Sequence, residues 1–315
     1  LRVNLKKSVT AKDVGNGQPF WPWSRQIHVA VFPAINSTRA GCSCHVWSCR
    51  YLYSGDRNST ALESVPYYRN VSLAEFKGTD MAKKAIAPAF GGFNRSLMKF
   101  LVELKANNNR DWFQENKPRY EAEVLTPSLE FIRAMGPLLK KISPELIASD
   151  KRVGGSLMRV YRDTRFASDK TPYKTNVGIH FRHEMGKDAY CPGLYLHIAP
   201  EECFLGAGIW HPDSATLKKI REAIDERSKD WKRARDNKKF NEHFELAGEK
   251  LKTSPRDYDK DHPMIEDLRR KDFIGVKAIR ESEVFKKDFL AESVAAFVAA
   301  KPLMKFVCDS IHVPF

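Results

Sequence analysis

Hydrophobic positions along the chain change their spacing twice. Phe93, Leu97, Phe100, Leu101 and Leu104 recur at i, i+4, i+7, i+8 and i+11. They form one face of a 3.6-residue repeat, so the spacing predicts a helix that Asn94 caps and that ends at Asn107-Asn108-Asn109. A longer helical pattern runs through Tyr120, Val124, Phe131, Met135, Leu138 and Ile142. Pro127 and Gly136-Pro137 fall inside it and predict a kink or a division, because proline lacks the N–H that an inner turn requires. The repeat then shortens to two. Residues 157–162 are apolar and β-branched enough for a first strand, and Val177, Ile179 and Phe181 alternate with Asn176, Gly178, His180 and Arg182. Leu194, Leu196 and Ile198 alternate likewise with Tyr195, His197 and Ala199, residues 204–210 read as another strand, and a short loop around 185–188 makes the middle two an antiparallel hairpin. Helical spacing returns at Asp213, a cap for Leu217, Ile220 and Ile224. Phe240, Phe244, Ala247 and Leu251 mark a further helix, and Pro263 opens a short one through Leu268. Residues 273–279 read as a last strand before a helical segment from Phe289 onward. Helices, then strands, then helices predict an α+β fold: a central, mostly antiparallel sheet flanked by N-terminal and C-terminal helices.

Residues 1–80 carry neither period and read as a non-native or disordered extension. Met81-Ala82-Lys83-Lys84 is a plausible true start, which leaves 81–315 as a single globular domain. Cys42-Ser43-Cys44-His45 with Cys49 offers thiolates and imidazole for zinc, but C-x-C-H-x3-C is not a usual ligand spacing and chance accounts for it better. The sequons at Asn36, Asn58 and Asn70 mean nothing without secretion. The chain has 53 Lys and Arg against 39 Asp and Glu, a net charge of +14, of which +5 lies on residues 1–80 and +9 on the rest. The excess favours anionic partners without choosing among them. No apolar run approaches the roughly 18 residues of a membrane span, the start lacks a secretory h-region, and the spacing of Cys191, Cys203 and Cys308 suits reduced thiols. A cytoplasmic protein without membrane attachment is the expectation.

The densest chemistry lies between the first two expected strands. Arg159, Arg162, Arg165, Lys170 and Lys174 stand against Asp163 and Asp169. Pro172 and the Asx-turn formers Asp163 and Asp169 make the segment an ordered loop, with Phe166 and Tyr173 as candidate anchors to the sheet. One reading is a ligand site for a phosphorylated or carboxylate anion, built from Arg159, Arg162, Asp163, Arg165, Asp169, Lys170, Tyr173 and Lys174. The other is an ion-pair clamp in which the two carboxylates neutralise the cations. Alternation puts Arg159 and Tyr161 on one face and Arg162 on the other, so all five cations converge only if the strand ends near Arg162. So many cations hold both carboxylates ionised, which argues against proton transfer between them.

Two alternatives come from other residues. A metal-dependent enzyme is possible if His180 faces His197 across the hairpin, with His183, Glu184 and His211 near them. Weak, sequence-independent nucleic-acid binding is suggested by Lys232-Arg233-Ala234-Arg235 and Lys238-Lys239, although a solvated helix face explains that run better. No nucleophile elbow, phosphate-binding P-loop or H-E-x-x-H helix is present. Gly206-Ala207-Gly208 lacks the third glycine of a dinucleotide fingerprint and reads as a place of close strand packing.

The run Arg162-Asp163-Thr164-Arg165-Phe166-Ala167-Ser168-Asp169-Lys170-Thr171-Pro172-Tyr173-Lys174 resembles R-D-x-R-F-[S/A]-x-D-K-x-P-Y-K, the hallmark of the conserved hypothetical proteins grouped as domain of unknown function 2461. Ala167 stands where serine is usual, which weakens any catalytic hydroxyl there. The turn at 108–113, the strand at 195–200, Gly206-Ala207-Gly208 and the helix opening at Asp213 are similar too, so the resemblance covers about 93–310. It implies a compact, mostly bacterial and fungal domain and names no reaction, substrate or cofactor.

Overall fold

The computed structural model describes residues 90–186 and 191–315. The expected start at Met81, the Cys42–Cys49 cluster, the sequons and the loop tip at Lys187-Asp188 lie outside those residues.

Helix α1 (Arg95–Ala106) begins where Asn94 accepts the Ser96 N–H at 3.1 Å, and it buries Leu97, Phe100, Leu101 and Leu104. Helix α2 (Arg110–Glu115) is capped by Asn109, whose side chain accepts the Trp112 N–H at 2.9 Å. The second helical pattern is continuous, with one irregular turn just before Pro127. Helix α3 (Lys117–Tyr120) runs into one π turn (Glu121–Leu125) and then α4 (Thr126–Leu139), in which Pro127 occupies the first turn and needs no hydrogen bond. Pro137 lies in the last turn of α4 without ending it, and Ile142 packs from beyond the helix end.

Five strands, β1 (Val177–Arg182), β2 (Gly193–Ile198), β3 (Cys203–Ile209), β4 (Glu245–Ala247) and β5 (Phe273–Ile279), form one sheet in the order β1-β2-β3-β5-β4. Every neighbouring pair is antiparallel. Val177, Ile179, Phe181, Leu194, Leu196, Leu205 and Ile209 are buried, and alternation sends them to one face of the sheet. Helix α4 packs on β1, and α11 (Lys301–Ser310) packs on β3. The remaining helices are α5 (Ser214–Glu226, capped by Asp213), α6 (Ser228–Arg235), α7 (Lys238–His243), α8 (Ile265–Leu268), α9 (Glu281–Val284) and α10 (Phe289–Ala299). The architecture is α+β. Among the described residues no helix is long and apolar enough to cross a membrane.

Two expected elements differ. The helix read through Phe240, Phe244, Ala247 and Leu251 stops at His243, because Phe244 is extended (φ −128°, ψ 149°) and leads into edge strand β4. The i, i+4 spacing instead lets the Phe240 and Phe244 rings stack at 5.6 Å across the helix end. The strand expected over 157–162 is replaced by two isolated bridges, described next.

Candidate functional site

Residues 156–158 lie antiparallel to β1: the Met158 N–H donates to Gly178 O at 2.9 Å, and the His180 N–H donates to Ser156 O at 2.8 Å. The chain then leaves β1 and pairs with itself. The Arg162 N–H donates to Pro172 O at 2.9 Å and the Lys174 N–H to Val160 O at 2.7 Å, with Tyr161 opposite Tyr173. A change of partner after Met158 is why no continuous strand forms.

In this geometry Tyr161 and Tyr173 are a non-hydrogen-bonded pair, so the N–H and C=O of Tyr173 point away from Tyr161. The side-chain amide of Asn108 meets both. It accepts the Tyr173 N–H at 3.0 Å and donates to Tyr173 O at 2.9 Å, so it acts as a one-residue strand. The buried Tyr173 ring stacks on Phe113 at 4.0 Å and 19°, and Tyr161 lies 5.5 Å from it. Tyr173 is therefore an anchor of the hairpin. Phe166 is not, since it is 66% exposed.

The five cations fall into two groups. Arg162 donates to Asp169 at 2.5 Å and to Thr171, both to its carbonyl at 3.2 Å and to its hydroxyl. Asp169 also accepts the Thr171 N–H at 2.9 Å; that bond first, and Arg162 second, lower its carboxyl to about 2. Arg165 grips Asp163 with Nε at 3.0 Å and Nη2 at 2.7 Å, and with its own backbone N–H at 3.2 Å. The Arg165 side chain and backbone hold Asp163 at about 2 as well. Lys170 donates to Thr164 O at 2.9 Å. These three cations and both carboxylates fold the loop onto itself, and carboxylates this acidic have no use as a general acid near neutrality.

Arg159 and Lys174 form the second group. Neither side chain makes a hydrogen bond or ion pair among the described residues, although Arg159 acts on Asp163 through its charge and Lys174 is adjacent to the buried Tyr173. Burial lowers the Lys174 ammonium below the usual lysine range, and the positive charge of Arg159 adds to the effect.

The strand histidines do not stand directly opposite each other. His180 stands opposite Tyr195, and His197 stands opposite Gly178, so the expected facing of His180 and His197 is corrected by one two-residue repeat. His197 stacks on Phe204 at 4.7 Å and lies 3.3 Å from the Tyr195 hydroxyl; burial lowers its imidazole to about 4 and keeps it neutral at physiological pH. His183 is buried with Nε2 2.7 Å from Pro314 O, while Nδ1 accepts the Met185 N–H at 3.1 Å. The Glu184 N–H donates to Glu145 O. His211, at the end of β3, places Nδ1 2.9 Å from the buried carboxylate of Asp272. Among the described residues no three or more His, Cys, Asp or Glu side chains are grouped to hold a metal ion.

In the basic run Arg235 turns inward to Asp267 and Asp236, and Arg233 pairs with Asp230 at 3.3 Å. Lys232, Lys238 and Lys239 remain on the exposed faces of α6 and α7.

The residue missed in the sequence is Asn108. Its neighbours supplied the signal, since three consecutive asparagines exceed what one turn needs. Asn107 donates to Glu103 O at 3.0 Å at the end of α1, Asn109 caps α2, and Asn108 is left for a distant partner.

A family model described as "Conserved hypothetical protein (DUF2461)" matches residues 96–306, about two thirds of the chain. Comparison with curated proteins and with solved structures gives no match.

Proposed function

The chain belongs to the DUF2461 family of conserved hypothetical proteins, a family of unknown function, and we propose that it binds a phosphorylated or carboxylate ligand at Arg159 and Lys174. The single observation that carries this reading is that neither the Arg159 nor the Lys174 side chain makes a hydrogen bond or ion pair among the described residues, although each lies within reach of the other's charge and Arg159 also acts on Asp163 through its charge, whereas Arg162, Arg165 and Lys170 are already engaged. An anion between Arg159 and Lys174 relieves their repulsion and gains charge-assisted hydrogen bonds from both. Asp163, Asp169 and Tyr173 then serve as organisers: the two ion pairs shape the loop, and Tyr173 holds Lys174 at the edge of the core.

Titration calorimetry with tripolyphosphate and with citrate tests the reading. Each charge-assisted hydrogen bond contributes about 1.5–3 kcal/mol, so the double substitution Arg159→Gln, Lys174→Gln is expected to weaken binding by about 100-fold. Arg165→Gln is expected to change it only a few-fold, because that guanidinium already holds Asp163. Binding that survives the double substitution and disappears in Arg165→Gln overturns the assignment.

A further inference from the structure

The hairpin that carries Arg159 and Lys174, whose side chains make no ion pair among the described residues, also carries two aromatic rings in contact with solvent. Tyr161 is 49% exposed, with its ring 5.5 Å from Tyr173 and 6.3 Å from Phe113 on the packed side. Phe166 is 66% exposed in the loop, and the Arg165 guanidinium lies over its ring at 5.8 Å from the centroid. That guanidinium is fixed by the Asp163 fork, so one ring face is covered by a held cation.

Exposed aromatic rings on a hairpin that also carries two cations without an ion pair among the described residues fit a ligand that repeats two features, a flat apolar ring and a negative charge. Single-stranded nucleic acid has both. Its bases stack on aromatic side chains without regard to sequence, and its phosphates follow a basic track. The net +9 of residues 81–315 attracts such a polymer at longer range. A membrane surface fits less well. Phe166 is followed by Ala167, Ser168 and Asp169 and has no neighbouring large apolar side chain in the loop to insert with it, while Asp163 and Asp169 would face anionic headgroups.

We infer that this hairpin binds single-stranded nucleic acid, with Phe166 and Tyr161 as stacking surfaces and Arg159 and Lys174 as phosphate contacts. The inference rests on the anion-binding reading and adds the bases to it.

The test is fluorescence anisotropy of the full chain with a short fluorescein-labelled oligothymidylate, an abasic strand of equal length, and vesicles containing phosphatidylglycerol. The oligothymidylate should bind more tightly than the abasic strand, and its affinity should fall steeply with added salt. Phe166→Leu, which keeps an apolar side chain but removes the ring, should weaken the oligothymidylate about 10-fold and leave the abasic strand unchanged. Arg159→Gln with Lys174→Gln should weaken both strands. Equal affinity for the two strands, or no effect of Phe166→Leu, overturns the stacking claim while the anion site stands. Phe166-dependent binding to vesicles with none to the oligothymidylate overturns it in favour of a lipid surface. If tripolyphosphate binds and neither strand does, this inference alone fails; if tripolyphosphate does not bind either, the anion reading fails with it.

Discussion

Gly208→Ala is expected to destabilise the domain by about 4 kcal/mol. Gly208 has a φ of +131°, a conformation that side-chain-bearing residues rarely adopt and that costs about 1–3 kcal/mol in strain. A methyl group there would also lie 2.0 Å from the carbonyl oxygen of Phe273 and 2.9 Å from the Cα of Ile274. Both are backbone atoms of β5, the strand to which β3 is hydrogen-bonded, so relief requires the two central strands to separate. Gly206 provides the control inside the same tripeptide. A methyl group at Gly206 would meet the Tyr195 side chain at 3.5 Å, an ordinary contact, so Gly206→Ala should cost under about 1.5 kcal/mol. Thermal unfolding separates the two: a domain of this size loses about 2–4 °C per kcal/mol, so Gly208→Ala should melt about 10 °C lower and Gly206→Ala within a few degrees of the parent. Equal melting temperatures would show that close packing of β3 on β5 does not depend on Gly208.

Asn108→Ala is expected to cost about 3 kcal/mol and to loosen the hairpin. It removes two hydrogen bonds and leaves the N–H and C=O of a residue that is 2% exposed without partners, at about 1–3 kcal/mol for each stranded group. Asn108→Asp keeps the acceptor for the Tyr173 N–H but sets a carboxylate against the Tyr173 carbonyl, so it should fall well short of restoring stability. Urea unfolding gives the energies, and hydrogen exchange at the Tyr173 amide reports the hairpin directly. In Asn108→Ala that amide should exchange far faster while amides of β2 keep their relative protection. Unchanged exchange at Tyr173 would mean that Tyr173 stacking on Phe113 alone fixes the hairpin.

Where side chains bury in a simple period, the sequence was a reliable guide. The faces of α1, β1 and β2 are legible from Phe93 through Leu104 and from the alternation at Val177 and Leu194, because each element packs one continuous apolar face, and residues 273–279 are legible as a strand. Failures occurred where the partner of a residue lies far along the chain. Residues 157–162 have strand composition, but the ladder changes partner after Met158, and composition carries no record of a partner. Phe240 and Phe244 keep helical spacing although the helix ends between them, since two stacked rings can satisfy the same spacing. Cross-strand register is likewise unwritten in alternation, which puts His180 and His197 on one face of the hairpin but does not say that His180 meets Tyr195 and His197 meets Gly178.

The candidate site was legible as a cluster and illegible as a circuit. Five cations and two carboxylates could be counted, but which cation each carboxylate holds depends on turns of two to seven residues closed by side chains. The clamp reading describes Arg162, Arg165 and Lys170, whereas the side chains of Arg159 and Lys174 make no ion pair among the described residues. Phe166 shows the same limit. An aromatic residue in a loop reads as an anchor, yet Tyr173 and Asn108 already supply the anchoring and leave Phe166 in solvent.

The division of the cations is tested most directly by an NMR titration of the lysine ε-CH2 groups, followed with and without saturating tripolyphosphate. Without ligand, Lys174 should lose its proton below the usual lysine range, since burial and Arg159 both disfavour its charge. An anion seated between the two cations reverses both effects, so saturation should move the Lys174 midpoint upward while Lys170 changes little. A Lys174 midpoint that starts in the usual range, or that stays fixed while tripolyphosphate binds, would contradict the account.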